Sequence, residues 1–266
     1  MVTTFAQRTA PPLDRGRLRT AIEDAFTDLA LHPERNFHFI SGAPLAETLQ
    51  YEQRLLDGVP RAALASFSGV GNPWRLGPLD PGAHVLDVGC GAGTDVVIAS
   101  RMVGPSGCVT GIDMTFAMVE RTRQAISIAG VSRTWARWGH AEALPLPDAS
   151  IDVVLCNGVI SLTPNKIDTL REIERVMKPG AELRISDVVV EWRLPPHVAE
   201  SIPLWTDCIG GATWLDDYPV LLREVGLDDA EVCETFDVFS GTRIEPRSSL
   251  FGARGANIRA WKRRVR

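Results

Sequence analysis

Three glycines at alternate positions follow an acid in Asp87-Val88-Gly89-Cys90-Gly91-Ala92-Gly93, directly after an apolar run. A strand that ends in a carboxylate and turns through residues without side chains brings bare main-chain N–H groups and a negative charge to one point. That combination suits a ligand carrying hydroxyls or positive charge. The spacing is not the Gly-x-Gly-x-x-Gly of dinucleotide turns, where a helix N-terminus meets a pyrophosphate. Alone, the stretch reads better as a plain β–α turn. A second acid, Asp113, ends the next apolar run. Its two acceptor oxygens fit the paired hydroxyls of a ribose, or the N-cap of a helix starting at Thr115. Taken with the glycine turn, the ribose reading is the stronger.

These groups must be positioned by the alternation that begins at residue 83. Apolar runs at 85–88, 109–112, 151–156 and 181–185 read as strands, and 94–103, 115–130 and 166–177 as helices. Short apolar strands alternating with helices predict an α/β fold with a parallel sheet covered on both faces. Such sheets bind ligands beyond the carboxyl ends of their strands, where Asp87, Asp113, Asn157 and Asp187 fall. Upstream, residues 1–14 read as disordered, 17–31 as a helix, and 43–57 as a helix stopped by Gly58-Val59-Pro60. Downstream the regularity lapses. Residues 190–218 carry Trp192, Trp205 and Trp214, then 218–225 reads as a helix and 230–239 as a late strand. The stretch 254–266, with Arg259, Lys262, Arg263 and Arg264, reads as a solvated basic tail.

The 266 residues are 45% hydrophobic and 23% charged, as in ordinary globular proteins. A net charge of −5 offers no basic field for nucleic acid. Five scattered cysteines without a Cys-x-x-Cys pair argue for reduced thiols in a cytoplasmic setting, and against a disulfide framework or a zinc site. The opening residues lack the apolar core of a signal peptide, and no apolar run reaches the roughly 18–20 residues that span a bilayer.

Four stretches in order carry a family resemblance: Val85 to Gly93, Gly111-Ile112-Asp113-Met114, Ala141-Glu142-Ala143-Leu144-Pro145, and Arg175-Val176-Met177-Lys178-Pro179-Gly180. Over roughly residues 67–230 the chain resembles class I S-adenosylmethionine-dependent methyltransferases of the type called methyltransferase domain 11. The resemblance implies a doubly wound, mostly parallel seven-stranded sheet of the Rossmann-like type. It also implies an N-terminal helical extension (1–66), a cofactor-binding core (67–190), and a substrate cap that completes the sheet (191–266). S-adenosylmethionine would lie against Gly89, Cys90, Gly91 and Gly93, with Asp87 toward its amino group or an ordered water. Asp113 would hold the ribose, Met114 would pack on the adenine, and Ala141 and Glu142 would border the adenine edge. Asn157 would close the site as an orienting group. Asp187, His197 and Asp207 are the candidate bases near the reacting end; their alternatives are a cap after the fourth strand, a surface-loop residue and a solvated helix acid. Trp205, Trp214, Phe39 and Phe67 are candidate walls for a small, aromatic or isoprenoid acceptor, and core packing is at least as good a reading of the tryptophans.

A finer resemblance is to arsenite methyltransferases, carried by Gly69-Val70-Gly71, Gly111 to Thr115, Asn157 to Leu162, and Asp207-Cys208-Ile209-Gly210-Gly211-Ala212. Those enzymes bind trivalent arsenic with three cysteines, soft ligands for a soft metalloid. Here the three positions hold Val70, Gly158 and Cys208. Cys156, two residues from the second position, reads as a packing residue. The expectation is therefore a methyltransferase for a small organic metabolite, accepting at oxygen, nitrogen, carbon or sulfur, as a monomer or homodimer. Arsenite or thiol methylation through Cys208 is the alternative, followed by a non-catalytic cofactor-binding relative.

Overall fold

The structure is a computed structural model that describes residues 13–37 and 39–264. Residues 1–12, most of the stretch expected to be disordered, lie outside the described residues. Asp14 is a helix cap: its Oδ1 accepts from the Arg17 N–H at 3.0 Å. It opens α1 (Arg15–Leu31), which is followed by the short helices α2 (Gly42–Thr48), α3 (Gln53–Leu56) and α4 (Arg61–Ala65). The single helix expected over 43–57 is therefore two. Gln50 breaks it with φ +56°, a left-handed conformation a helix interior does not admit.

The repeating unit follows as β1 (His84–Val88), α5 (Thr94–Val103), β2 (Cys108–Asp113), α6 (Phe116–Ala129), β3 (Thr134–Trp138), β4 (Ile151–Asn157), α7 (Lys166–Val176) and β5 (Met177–Val190). These strands pair in parallel in the order β3-β2-β1-β4-β5. The chain then forms α8 (Pro196–Ala199), α9 (Ile202–Thr206), β6 (Thr213–Trp214), α10 (Tyr218–Glu224), β7 (Leu227–Phe236), α11 (Glu245–Ser249) and β8 (Arg254–Lys262). β8 inserts antiparallel between β5 and β7, and β6 pairs with the far end of β5, giving eight strands among the described residues.

Pleat alternation sorts the core into two layers. Val85 packs on one face with α5, α6 and the N-terminal helices, while Leu86 and Val88 pack on the other with Leu170, Ile173 and Leu222. Asp87 shares the face of Val85. The strand order reverses between β1 and β4, so their carboxyl ends diverge and leave a crevice. No helix among the described residues is long and apolar enough to cross a membrane.

The stretch 254–262 corrects the reading of a solvated tail. Ala256, Ile258 and Ala260 are fully buried in the sheet, Arg259 alternates with them, and Lys262 at the strand's end pairs with Glu174 at 3.1 Å. Asp187 is corrected by the same strand pairing. β5 runs on to Val190, so Asp187 lies inside the sheet opposite Ala256 and not at a strand end.

Candidate functional site

The crevice beyond β1 and β4 is a cleft enclosing about 1040 Å³, part of it open to solvent. Its floor is the turn from β1 into α5. Gly89 (φ +71°) gives the clearest reason for glycine there, because a Cβ would sit 2.3 Å from Val159 Cγ2. Gly91 differs. It has φ +52° and nothing within 4 Å of where its Cβ would be, so its bare backbone faces the open cleft. The turn is pinned from below by the Gly89 and Cys90 N–H groups, which donate to the Ile112 carbonyl at 2.7 and 3.1 Å.

Three carboxylates surround this turn, Asp87 and Asp95 buried and Asp113 half-buried. Asp113 accepts from Gly91 N–H at 2.9 Å through one oxygen and from Thr115 N–H at 2.8 Å through the other. A carboxylate has about four lone-pair sites, so two remain for a ligand on the cleft side. Burial raises the Asp113 carboxyl above the ordinary range, and its two backbone donors oppose that rise. Asp95, in the first turn of α5, accepts from Trp74 Nε1 at 2.8 Å and from the Tyr51 hydroxyl at 3.0 Å. Burial raises its carboxyl too, against the pull of those donors and of Asn157.

Asp87 is the uncompensated member. It is 2% exposed, and its Oδ2 is buried without a hydrogen-bond partner. Burial pushes its carboxyl well above the usual range, and the neighbouring Asp95 and Asp113 carboxylates push it further. A buried acceptor without a donor, lining a cleft under bare glycine backbone, is a place for a cation that donates hydrogen bonds.

The cleft collects the expected cofactor residues Asp87, Gly89, Cys90, Gly91, Asp113, Met114, Ala141, Glu142 and Asn157. Gly93 does not line it; it caps α5, where a Cβ would meet Thr122 Cγ2 at 2.9 Å. Glu142 pairs with Arg19 of α1 at 3.3 Å, and Arg19, Ile22 and Phe26 make α1 one wall of the cleft. Asn157 has its polar atoms engaged within the protein. Its Oδ1 accepts from Val70 and Gly71 N–H at 2.8 and 3.1 Å, and its Nδ2 donates to Gly71 O and Asp95 Oδ2 at 3.0 and 3.2 Å. It fastens the 69–71 segment across the site.

The expected bases do not meet in this cleft. Asp187 is fully buried, accepting from the Tyr218 hydroxyl at 2.6 Å, Ser161 N–H at 2.8 Å and Val188 N–H at 2.8 Å. It holds β5 to its neighbours and faces no ligand space. His197 is exposed on the four-residue α8 and reaches neither the cleft nor the chamber described next. Asp207 and Cys208 line a second chamber with Phe26, Phe39, Val70 and Phe239, of about 550 Å³ including its mouth. The cleft and the chamber share Phe26, Ser68 and Gly69 as a common wall. Phe39 is in the chamber and Phe67 in the cleft, but the tryptophans lie elsewhere. Trp205 packs with Leu18 and Ile22 of α1, and Trp214 donates to the Glu191 carbonyl under Arg193.

Sequence reasoning missed Asp95, Tyr51 and Arg19. An acid two residues after Gly93 was a usable signal for Asp95. Arg19 arrives from α1 and Tyr51 from the connection between α2 and α3, and neither left a local trace.

A family model described as a methyltransferase domain matches residues 79–226. The chain belongs to the methyltransferase domain family. The arsenite methyltransferase of Halobacterium salinarum is 37% identical over 164 residues, covering 62% of this chain and 42% of that protein. A crystal structure of an arsenic(III) S-adenosylmethionine methyltransferase from Chlamydomonas reinhardtii is 34% identical with a TM-score of 0.69, covering 80% of this chain and 73% of that one. A demethylmenaquinone methyltransferase of Listeria monocytogenes is 34% identical over 113 residues, covering 42% of this chain and 48% of that protein. The chain thus spans about half the length of these curated relatives, or less.

For a methyltransferase domain of the class I, S-adenosylmethionine-dependent type, the cleft fits the cofactor on its own features. The unpartnered Asp87 oxygen suits the ammonium of its methionine part. Gly91 leaves room for that part to lie on backbone, and Asp113 keeps acceptor capacity for a ribose. The three carboxylates give the cleft a negative field suited to a sulfonium cation.

Proposed function

We propose that the protein methylates a small organic acceptor using S-adenosylmethionine, and that arsenite is not its substrate. The observation that carries the donor half is the buried, unpartnered oxygen of Asp87, which lines the same cleft as the open face of Gly91. When bound, the cofactor would supply a transferable methyl group on a positively charged sulfur. The protein's part is to hold both partners in line and to keep water out. Asp87 fixes the amino end, Asp113 the ribose, and Asn157 the segment that separates donor from acceptor.

The acceptor half rests on three positions gathered at one place. A Cβ at Gly158 would lie 3.1 Å from Val70 Cγ2, and Val70 and Cys208 line one chamber. The arsenite-type thiols would stand there, but an isopropyl group, a hydrogen and a single thiol do. Burial, with the nearby Asp187 and Asp207 carboxylates, pushes the Cys208 thiol up to about 12, which opposes the thiolate a metalloid needs. Among the described residues, no three His, Cys, Asp or Glu side chains gather to hold a metal ion. Incubation with methyl-labelled S-adenosylmethionine and a panel of small metabolites, beside arsenite with glutathione, tests the reading. Label should enter an organic acceptor only. Methylated arsenic that disappears in Cys208→Ala would reverse it.

A further inference from the structure

The second chamber has a wall that the parallel core does not supply. Between β7 and β8 the chain leaves the sheet over residues 237–253, and Val238, Phe239, Thr242 and Ile244 of this strap face Val70, Phe39 and Cys208 across the chamber. The strap is held in shape locally. Asp237 Oδ1 accepts from Phe239 and Ser240 N–H at 2.8 and 3.0 Å, and the Thr242 hydroxyl donates to the Phe239 carbonyl at 2.6 Å. It is tied across the chamber by Arg247 of α11, whose Nη1 donates to Asp207 Oδ2 at 3.0 Å.

The charge inventory of this chamber is narrow. Its lining residues include no Lys, Arg or His among those described, and Asp207 is their one ionisable carboxylate, already faced by Arg247. An anionic ligand would find no counter-charge among these described lining side chains, and a cationic one would compete with Arg247 for Asp207. The rest of the lining is aromatic and branched aliphatic, with Ser68, Thr206, Cys208 and Thr242 as its neutral polar groups. The one wall shared with the donor cleft, Phe26 with Ser68 and Gly69, gives a bound molecule a route to the methyl group.

We propose that this chamber is the acceptor site and that it takes an uncharged, largely hydrocarbon acceptor, with its nucleophilic atom led past Ser68 and Gly69 into the donor cleft. The assignment rests on the methyl-transfer reading for its meaning, and it goes further by fixing the acceptor's charge and polarity. It makes the strap a specificity element, because four of its side chains meet the acceptor's apolar body.

The test is calorimetry on the full chain with 2-naphthol as the neutral aromatic probe, 2-naphthoate as its anionic analogue, and S-adenosylhomocysteine for the donor cleft. Wild-type protein should bind naphthol, with naphthoate at least about tenfold weaker. Thr242→Asp and Val238→Asp, which put a carboxylate into the chamber from half-buried strap positions, should each weaken naphthol by at least about tenfold. Both should keep S-adenosylhomocysteine affinity within about twofold, since neither residue lines the donor cleft. Equal binding of naphthol and naphthoate to the wild type would overturn the proposal even if both variants failed to fold. So would naphthol affinity that survives both substitutions in folded protein. Homocysteine-nucleoside binding without naphthol binding would refute the chamber assignment alone. Naphthol binding without it would support the chamber's chemistry and refute the methyl-transfer reading.

Discussion

Replacing Asp87 by asparagine should make the protein more stable and its donor cleft weaker, two effects of opposite sign from one atom. The side chain is 2% exposed, its Oδ2 has no partner, and Asp95 and Asp113 add like charge nearby. Leaving a buried polar group unpaired costs about 1–3 kcal/mol, and more when it is charged. Asp87→Asn keeps the volume and removes the group that burial and two like charges penalise, so about 1–3 kcal/mol should be recovered above the pH at which the folded Asp87 carboxyl ionises. In a chain of this size that is a rise of about 2–4 °C in melting temperature per kcal/mol.

The pH sign follows from the raised carboxyl. The folded state holds the Asp87 proton to higher pH than the unfolded chain does, so wild-type stability falls as pH rises from the ordinary value of 3.8 through the folded value. The advantage of Asp87→Asn should grow over that window and then level off. Binding should move the other way. Losing a charge-assisted hydrogen bond to an ammonium costs about 1.5–3 kcal/mol, roughly 10- to 150-fold in S-adenosylhomocysteine affinity. Thermal melts from pH 4 to 9 with and without S-adenosylhomocysteine read both effects. A variant that is less stable than wild type at pH 8 and binds the nucleoside equally would refute the reasoning.

Other substitutions probe the same site from different sides. Asp113→Ala removes the acceptor of Gly91 and Thr115 N–H, and calorimetry should show S-adenosylhomocysteine binding weakened by about 10- to 100-fold. Gly89→Ala places a methyl group 2.3 Å from Val159 Cγ2 at φ +71°; urea unfolding should show a loss of at least about 2 kcal/mol. Asn157→Ala leaves Val70 and Gly71 N–H without their acceptor. Stability should fall by about 2–4 kcal/mol, with amide exchange accelerated more at those two residues than in the sheet.

How much was legible depended on whether the deciding contacts were local. From β1 to α7 the elements other than β3 are specified within about a dozen residues, and Gly89, Gly91, Asp113 and Ala141-Glu142 line one cleft. β3 left a weaker signal because it is a short edge strand whose Trp135 and Trp138 are exposed. β8 carried a period-two signal in Ala256, Ile258 and Ala260, masked by the arginines and lysine between and after them. Asp187 was misplaced because the length of β5 is set by β8, a partner about 70 residues away. The pairing of Cys208 with Val70 in one chamber depends on the strap and on a left-handed backbone at Cys208, φ +60°. No local pattern announces either.

Helix α1 bears on time as well as on shape. Leu18 and Ile22 are buried against Leu162 and Trp205, while Arg19 and Phe26 reach the donor cleft. A molecule held there sits behind packed side chains, so its escape is tied to how often that helix loosens, and not only to the strength of its own contacts. Residence time and affinity become separately adjustable. Changes at Leu18, which does not line the donor cleft, would quicken departure of the spent donor, and with it turnover wherever departure is the slow step.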